Sequence, residues 1–269
     1  MTPFILIDRV SKSFQADSRT PPIAVIDDVS IAIGKGELIV FLGPSGCGKT
    51  TLMRIVGGLE TATRGRVLID RVPVAGPDRQ KGMVFQSYSS FPWLNVIDNI
   101  RFGLEFRDDI DAAEKERIAR RYLDLVGLEG FENYCVNRIS GGMRQRLAIA
   151  RTLAAGPDVL LMDEPFGALD AQNRDFLQAQ LDVIQRSEHK TIIVVTHDVE
   201  EAVFLADRIV IFSARPARIL EEVRVSDYLP AERNLETKES EIFFKLRNRI
   251  LGITRAQALR TEQLMMGAS

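Results

Sequence analysis

The sequence predicts an α/β fold with a mostly parallel sheet flanked by helices, an antiparallel β patch at one end and a helical insertion. Helical patterns lie between the later strands, and glycine turns join short strands in IAIGKGELIV and TRGRVLIDRVPVAG. Apolar, β-branched runs, several of them typical of strands covered on both faces, recur at FILIDRV, ELIVFLG, RVLIDRV, KGMVFQ, DVLLMDEP, TIIVVTH and RIVIFS.

Composition narrows the class of protein. A chain of 269 residues can form one large α/β domain or two small ones. The balance of 35 basic and 37 acidic residues argues against bulk binding of nucleic acid. The N-terminus lacks a signal-peptide pattern, no apolar run reaches the ~18–20 residues that span a bilayer, and the two cysteines lack metal-site spacing. These features predict a cytoplasmic protein with reduced thiols.

The helical insertion is predicted where residues 97–135 interrupt the alternation of strands and helices. The segment DAAEKERIARRYLDLVGL opens with a capping box of Asp111 and Glu114, and Gly127 is suited to end its helix. Its apolar face would comprise Ile118, Leu123, Leu125 and Val126.

A further helix is predicted in the tail segment ESEIFFKLRNRIL. One interpretation is that this helix packs on the core, and the other is that it is a solvated charged helix. The apolar stripe that favours packing would consist of Ile242, Phe243, Leu246 and Ile250.

A phosphate-binding loop is predicted at GPSGCGKT, which fits the pattern G-x-x-x-x-G-K-[ST] between a strand over Glu37–Leu42 and a helix over KTTLMRIVGGL. Its glycines let backbone N–H groups surround phosphate oxygens. Lys49 can reach the β- and γ-phosphates, and Thr50 can bind Mg²⁺. The predicted ATP-binding residues of this segment are Gly43, Pro44, Ser45, Gly46, Cys47, Gly48, Lys49, Thr50 and Thr51.

Cys47 occupies a variable position of this loop. One interpretation is that the position simply takes a small residue. The other is that the helix N-terminus lowers the pKa of the thiol and makes it reactive.

Polar side chains follow three further strands. Asp163 and Glu164 follow the apolar run VLLM in VLLMDEP, where Asp163 is suited to hold Mg²⁺ and Glu164 to activate a water aimed at the γ-phosphate. His197 ends VVTH and Gln86 ends GMVFQ. Because open parallel sheets bind ligands at the carboxyl ends of strands, His197 is a candidate γ-phosphate contact. Gln86 is a candidate either for the Mg²⁺ shell or for sensing the γ-phosphate.

A second anion site is predicted at RISGGMRQRLAIAR. Ser140, Gly141 and Gly142 form a turn that opens a helix, and a helix N-terminus favours anions. The chain already has a complete phosphate loop far upstream, so this turn needs a different purpose.

The ordered series GPSGCGKT, GMVFQ, ISGGMRQR, VLLMDEP, FGALD and VVTHD resembles the nucleotide-binding subunit of ATP-binding-cassette (ABC) transporters, over about residues 4–215. Within that family, FQSYSSFPWLNVIDNIRFGLE, SGGMRQR and DEPFGALD resemble the nitrate, sulfonate and taurine class of bacterial importers. The resemblance implies a P-loop NTPase core that binds ATP and Mg²⁺, with Phe14 stacked on adenine and Glu164 and His197 in catalysis. The implied metal ligands are Thr50, Gln86 and Asp163.

The resemblance also implies a head-to-tail dimer with two ATP molecules, each held by the phosphate loop of one subunit and the signature turn of the other. Ser140, Gly141 and Gly142 would bind the partner's ATP, and Asp170 would end a loop that crosses the dimer interface. Met143 stands where the family has Gln or Glu. The expected trans contacts are therefore those of the serine and the glycine backbone.

An importer subunit of this kind would lie on the cytoplasmic face of the inner membrane as a peripheral protein. Its partners would be a second ATPase subunit, transmembrane permease subunits and a periplasmic or extracellular substrate-binding protein, with no nucleic acid. The segment SYSSFPWLNVIDNI would either dock a helix of the permease or form an ordinary loop over the core. The expected organisation is an ATPase domain over residues 1–226, including a helical subdomain at about 87–157, then a tail over 227–269 without a regulatory domain.

Two other functions remain open at this point. A soluble ATPase of the same fold would act on nucleic acid or ribosomes, but such proteins usually carry two cassettes, coiled-coil arms or zinc-binding cysteines, which this sequence lacks. An exporter subunit differs only in its membrane partner. The sequence names neither the transported substrate nor the choice between homodimer and heterodimer.

Overall fold

The structure is a computed structural model that describes residues 2–15, 21–86 and 89–266. It divides into two compact units. Unit 1 comprises Met1–Pro77 and Thr191–Ser269, and unit 2 comprises Asp78–Lys190.

The strands and helices alternate in the later part of the chain, as expected for an α/β protein. The strands are β1 Ile5–Phe14, β2 Ile23–Ile33, β3 Leu38–Leu42, β4 Arg64–Ile69, β5 Val72–Pro73, β6 Lys81–Val84, β7 Val159–Asp163, β8 Thr191–Thr196, β9 Arg208–Phe212 and β10 Ile219–Arg224. The helices are α1 Lys49–Val56, α2 Val96–Gly103, α3 Ala112–Leu125, α4 Gly141–Ala154, α5 Ala171–Glu188, α6 Val199–Leu205, α7 Leu235–Glu239 and α8 Glu241–Met266.

Unit 1 contains the parallel strands that carry the phosphate loop. Strand β3 lies between β8 and β9 and is parallel to both, while β10 is antiparallel to β9 at the edge. Every residue of β3 and β8 is buried. Continuous burial explains why β3 is apolar throughout and why β8 is apolar between its two terminal threonines, because a parallel strand is covered on both faces.

The antiparallel patch is a second sheet in unit 1, with the strand order β2-β1-β4-β5. Strand β1 pairs with both neighbours, so Ile5 lies opposite Ile33 and Ile69. The two strands of IAIGKGELIV do not form a hairpin, because β2 belongs to this sheet and β3 to the parallel one. The glycine turn between them therefore connects two sheets.

Unit 2 confirms the helical insertion. Strands β6 and β7 pair in parallel, and α2 and α3 both pack against α4. Asp111 caps α3 by accepting the N–H of Glu114, whose own carboxylate binds Arg117 instead of completing a capping box. Gly127 has φ 62° just after α3 ends, which suits a glycine at this position. Of the expected apolar face, Leu123 and Val126 are buried, and Ile118 and Leu125 are half-buried.

The tail helix α8 packs on α6 within unit 1. Phe243, Leu246 and Ile250 are buried as expected, but the expectation was wrong for Ile242, which is 52% exposed. Successive helical residues point about 100° apart, so Ile242 and Phe243 do not face the same neighbour. Among the described residues, no helix is long and apolar enough to cross a membrane.

Candidate functional site

The phosphate loop of unit 1 joins β3 directly to α1. Gly48 precedes the first helical residue with φ 125°, and a Cβ there would lie 2.7 Å from the carbonyl oxygen of Val25. Only glycine fits both the backbone conformation and the space. The loop residues Ser45 and Gly46 are exposed, and the first-turn residues Thr50 and Thr51 are half-buried.

Lys49 is the fixed cation of this loop. Its side chain is buried, with 5% exposure, and its ammonium donates hydrogen bonds of 2.8 Å to the carbonyl oxygens of Gly43 and Pro44. Both acceptors are neutral and belong to the loop itself. The ammonium is therefore held inside the glycine loop and at the N-terminus of α1, the arrangement that binds phosphate in P-loops.

Cys47 is buried beneath the loop, and its Sγ lies 3.7 Å from the Lys49 ammonium. A side chain on Gly43 would also approach this sulfur, at 3.5 Å from Cβ. The small enclosed space favours the interpretation that this position takes a small residue.

His197 and Phe14 also belong to unit 1. Thr196, the last residue of β8, pairs with Leu42, the last residue of β3, so His197 and Gly43 follow neighbouring strand ends. The carboxyl edge of the parallel sheet thus brings His197 and the phosphate loop to the same end of the unit. Phe14 is 42% exposed at the end of β1, and the Lys12 ammonium lies 4.7 Å from its ring centroid.

Unit 2 brings Gln86 together with the two acids. Strand β6 pairs with β7 so that Val84 lies opposite Met162, which places Gln86 and Glu164 at equivalent positions after the two strands. The Nε2 of Gln86 donates a 2.9 Å hydrogen bond to Oε2 of Glu164. Asp163 is buried as the last residue of β7.

Glu164 has a backbone conformation that is unusual for a side-chain-bearing residue. Its φ is 47°, in the left-handed region that favours glycine. Such strain is typical of functional sites, where the surrounding structure holds a residue in place. This backbone conformation and the hydrogen bond from Gln86 together hold the carboxylate of Glu164 in one position.

The signature turn caps α4. The Oγ of Ser140 accepts the N–H of Met143 at 3.2 Å. A Cβ on Gly142 would lie 3.1 Å from Leu169, so the turn packs closely against the loop FGALD. At the end of that loop Asp170 caps α5 by accepting the N–H of Asn173, and this bond lowers the pKa of Asp170.

A groove in unit 2 was not predicted as a whole. It is a cavity of about 320 Å³ with an aromatic and a basic lining. The expected docking segment SYSSFPWLNVIDNI supplies only Phe91, while its Ser87 and Tyr88 lie outside the described residues. The signal that the sequence offered was the presence of aromatic and basic residues before and after this segment. The groove residues of these two kinds include Phe91, Phe102, Phe106, Arg79, Arg107 and Arg151.

Comparisons with known proteins agree with these motifs. The family model described as ABC transporter matches residues 26–167. An uncharacterized ABC transporter ATP-binding protein of Methanocaldococcus jannaschii is 43% identical over 255 residues, which cover 95% of this chain and 92% of that protein. The taurine import ATP-binding protein TauB of Burkholderia pseudomallei is 49% identical over 203 residues, which cover 76% of this chain and 78% of TauB.

A solved structure supports the fold. The post-hydrolysis dimer of the ATP-binding cassette MJ0796, bound to ADP and Pi, superimposes with a TM-score of 0.74 and 30% identity, covering 82% of this chain and 98% of that chain. The family match spans more than half of the chain and includes the phosphate loop, the signature turn and the two acids at the end of β7. The chain therefore belongs to the ABC transporter family, as an ATP-binding subunit that hydrolyses ATP to drive transport.

Proposed function

We propose that this subunit drives the uptake of a small anion of the nitrate, sulfonate or taurine kind and that it works as a head-to-tail dimer. The single observation that carries the nucleotide part is Lys49, a buried ammonium inside a glycine loop between a parallel strand and a helix. The 49% identity to a taurine import ATP-binding protein supports the substrate class.

ATP binds through an exchange of partners at Lys49. The ammonium donates to two neutral carbonyl oxygens of the loop. A triphosphate offers charged oxygens instead, which add the attraction between opposite charges to hydrogen bonds that the ammonium already makes as an ionised donor. The N–H groups at the start of α1, together with Thr50 and Thr51, complete the phosphate contacts. The exposed ring of Phe14 stacks on the adenine.

Each of the three expected metal ligands has the side-chain chemistry that a magnesium ion prefers. Thr50, Asp163 and Gln86 offer hydroxyl, carboxylate and amide oxygens, the hard ligands that Mg²⁺ prefers. Within the described part of the chain, no cluster of three or more acidic, histidine or cysteine side chains is suited to a metal. This agrees with an ion that takes its other ligands from phosphate and water. When bound, Mg²⁺ would neutralise charge on the phosphates.

Glu164 acts as the general base for hydrolysis. Its carboxylate orients the attacking water and accepts a proton from it, while Gln86 holds the carboxylate in place through the 2.9 Å bond. His197 donates a hydrogen bond to the γ-phosphate and stabilises the charge that develops there. Neither role requires Cys47.

The signature turn binds the ATP of the partner subunit. Ser140 and the N–H groups of Gly141 and Gly142 face the phosphates from the N-terminus of α4. Because a side chain on Gly142 would crowd Leu169, the turn lies directly against the loop that ends at Asp170. ATP bound at this turn therefore lies beside the loop that crosses the dimer interface.

The groove of unit 2 docks a cytoplasmic segment of the permease. Ring centroids of Phe91 and Phe102 are 4.5 Å apart and those of Phe102 and Phe106 are 6.4 Å apart, which forms an aromatic ladder along the groove. The guanidinium of Arg151 lies 4.7 Å from the ring of Phe91 and donates to the carbonyl and hydroxyl oxygens of Ser89.

The charge of the groove selects an acidic occupant. Burial lowers the pKa of Arg151, and its contacts in the described structure are a ring and neutral oxygens. An apolar helix that brings a carboxylate would cover the aromatic ladder and neutralise this guanidinium. Such an occupant places the subunit peripherally on the cytoplasmic face of the membrane, with a substrate-binding protein on the opposite side.

The test of the whole proposal is reconstitution. The tagged chain is purified from detergent-solubilised membranes of its own host, and the permease that accompanies it is identified and placed in liposomes with its binding protein. We expect ATP-dependent uptake of labelled taurine, an alkanesulfonate or nitrate. A complex with ribosomes in place of a permease, or outward transport only, contradicts the proposal.

The groove has its own test. Phe106→Ala removes an aromatic ring from the ladder, and Phe176→Ala is the matched control, since Phe176 is also exposed in unit 2 but does not line the groove. We expect Phe106→Ala to reduce permease recovery at least tenfold with ATP binding unchanged, and Phe176→Ala to have no such effect. Equal recovery of both variants rules out this docking site.

A further inference from the structure

A buried hydrogen-bonded pair lies directly behind His197. The hydroxyl of Thr196 donates to Oε2 of Glu201 at 2.8 Å and accepts the N–H of Asp198 at 3.0 Å. Thr196 is 2% exposed and Glu201 is 6% exposed, whereas His197 is exposed. We call these two hydrogen bonds, which join Thr196 to Glu201 and to the backbone of Asp198, the Thr196 bridge. This buried bridge lies next to the exposed histidine.

The Thr196 bridge restrains the backbone on both sides of His197. Thr196 ends β8, whose neighbour β3 leads into the phosphate loop. Asp198 caps α6 by accepting the N–H groups of Glu200 and Glu201 at 2.8 and 3.2 Å. Residue 197 is therefore held between the end of a buried strand and the capped start of a helix.

Packing alone does not explain this choice of residues. A carboxylate is among the most costly groups to bury, and an apolar side chain would fill the same space without that cost. The bridge also requires a group at position 196 that donates and accepts at once. Threonine and serine do so, but valine, which has nearly the same shape as threonine, does neither.

We propose that Thr196 and Glu201 are positioning residues that fix the His197 turn, so that the imidazole meets the γ-phosphate in one geometry. This inference rests on the role proposed above for His197. Catalysis depends on such placement, because a displacement of about 1 Å can cost up to ~10²-fold in rate. Without the bridge, His197 keeps its side chain but loses its orientation.

The test compares substitutions that remove the bridge with substitutions that keep it. Thr196→Val and Glu201→Leu remove it, while Thr196→Ser and Glu201→Gln keep a hydroxyl or an acceptor oxygen. We expect Thr196→Val to lower kcat for ATP hydrolysis by about 10–100-fold with KM for ATP within about twofold of wild type. Thr196→Ser should restore most of the rate.

A matched control separates positioning from general damage to the strand. Thr191 is the first residue of the same strand, is fully buried, and accepts the N–H of Gly36 at 3.0 Å. Thr191→Val therefore makes the same chemical change at the other end of β8. It should lower Tm about as much as Thr196→Val but leave kcat unchanged. An equal loss of kcat in both variants overturns the inference.

His197→Ala distinguishes failure of this inference from failure of the proposed function. If His197→Ala hydrolyses ATP at the wild-type rate, the role of His197 is wrong. If His197→Ala is slow but Thr196→Val is normal, only the positioning inference is wrong. The double variant should be no slower than His197→Ala, because Thr196 acts through that side chain. An additive loss of rate in the double variant contradicts the positioning role of Thr196. If Thr196→Val does not fold, Glu201→Leu and Glu201→Gln provide the same comparison between a variant that removes the bridge and one that keeps it.

Discussion

The amide nitrogen of Gln86 donates a 2.9 Å hydrogen bond to the carboxylate of Glu164. The two residues are far apart in the chain and meet because β6 and β7 pair in parallel with Val84 opposite Met162. The candidate general base is thus oriented by a neutral side chain from the neighbouring strand. Loss of the charge on Glu164 and loss of its orientation are separable changes.

Glu164→Gln should slow hydrolysis by about 10²–10⁴-fold and leave ATP binding intact, because an amide does not accept the proton of the attacking water. The amide oxygen can still accept the bond from Gln86, so the geometry is retained. Turnover is measured by phosphate release, and gel filtration with ATP should show a stabilised dimer. Glu129→Gln, an exposed carboxylate of the same unit, is the control. Undiminished turnover would remove Glu164 from the mechanism.

Lys49→Ala should abolish measurable ATP binding, because it removes the buried ammonium inside the glycine loop. Titration with a fluorescent ATP analogue measures the affinity. Lys35→Ala removes an exposed ammonium of the same unit, close to the ring of Phe4, and should bind as wild type. Wild-type affinity of the Lys49 variant would exclude the phosphate assignment.

The two cysteines should react with a thiol reagent at very different rates. Cys135 is exposed and Cys47 is buried beneath the phosphate loop. We expect fast labelling of Cys135 without loss of ATPase activity, then slow labelling of Cys47 that inactivates the protein and is slowed by ATP. Mass spectrometry of the Cys135→Ser variant isolates the second reaction. If Cys47→Ser is inhibited as fast as wild type, another residue is responsible.

The trans role of the signature turn is tested with mixed dimers, on the assumption of a homodimer. The first mixed dimer carries Lys49→Ala in one subunit and Ser140→Arg in the other. If the turn acts in trans, both substitutions then fall in the same composite ATP site, and the second site is intact. The second mixed dimer carries both substitutions in one subunit, which is paired with a wild-type subunit. Each ATP site then contains one substitution. A buried triphosphate that lacks either set of donors is left undersatisfied.

The first mixed dimer should therefore occlude about one ATP, and the second essentially none. Two affinity tags isolate each species, and retained ATP is counted after rapid desalting. Occlusion is a better measure than turnover, since turnover can require both sites. If the signature turn acted on its own subunit's ATP, the two results would be exchanged.

Gln145→Leu should stabilise the protein. Gln145 is 1% exposed, and neither Nε2 nor Oε1 of its amide has a hydrogen-bond partner in the described part of the chain. An unsatisfied buried polar group costs about 1–3 kcal/mol, which an apolar side chain of similar size avoids. We expect Tm to rise by about 2–4 °C per kcal/mol recovered. Gln172→Leu, on the exposed surface of the same unit, should change Tm little, and a lower Tm for Gln145→Leu would refute the prediction.

Local patterns of the sequence determined the strands of the parallel sheet, the helical insertion and the family. The phosphate loop is predictable because its requirements are contiguous: a strand, glycines such as Gly48 at φ 125°, Lys49 and a helix. The caps at Asp111 and Ser140 were predictable in the same way, since an N-cap acts on a backbone N–H three residues away. Interactions between residues that are close in the chain can therefore be predicted from the local sequence.

Only the tertiary structure decided which residues meet. It assigned β2 and β3 to different sheets, paired Gln86 with Glu164, and placed Phe102, Phe106 and Arg151 along one groove. Each of these contacts depends on strand pairing or helix packing between distant segments. Strand pairing and helix packing are set by the burial of whole apolar faces, and a local run of residues does not encode the identity of the neighbour that buries it.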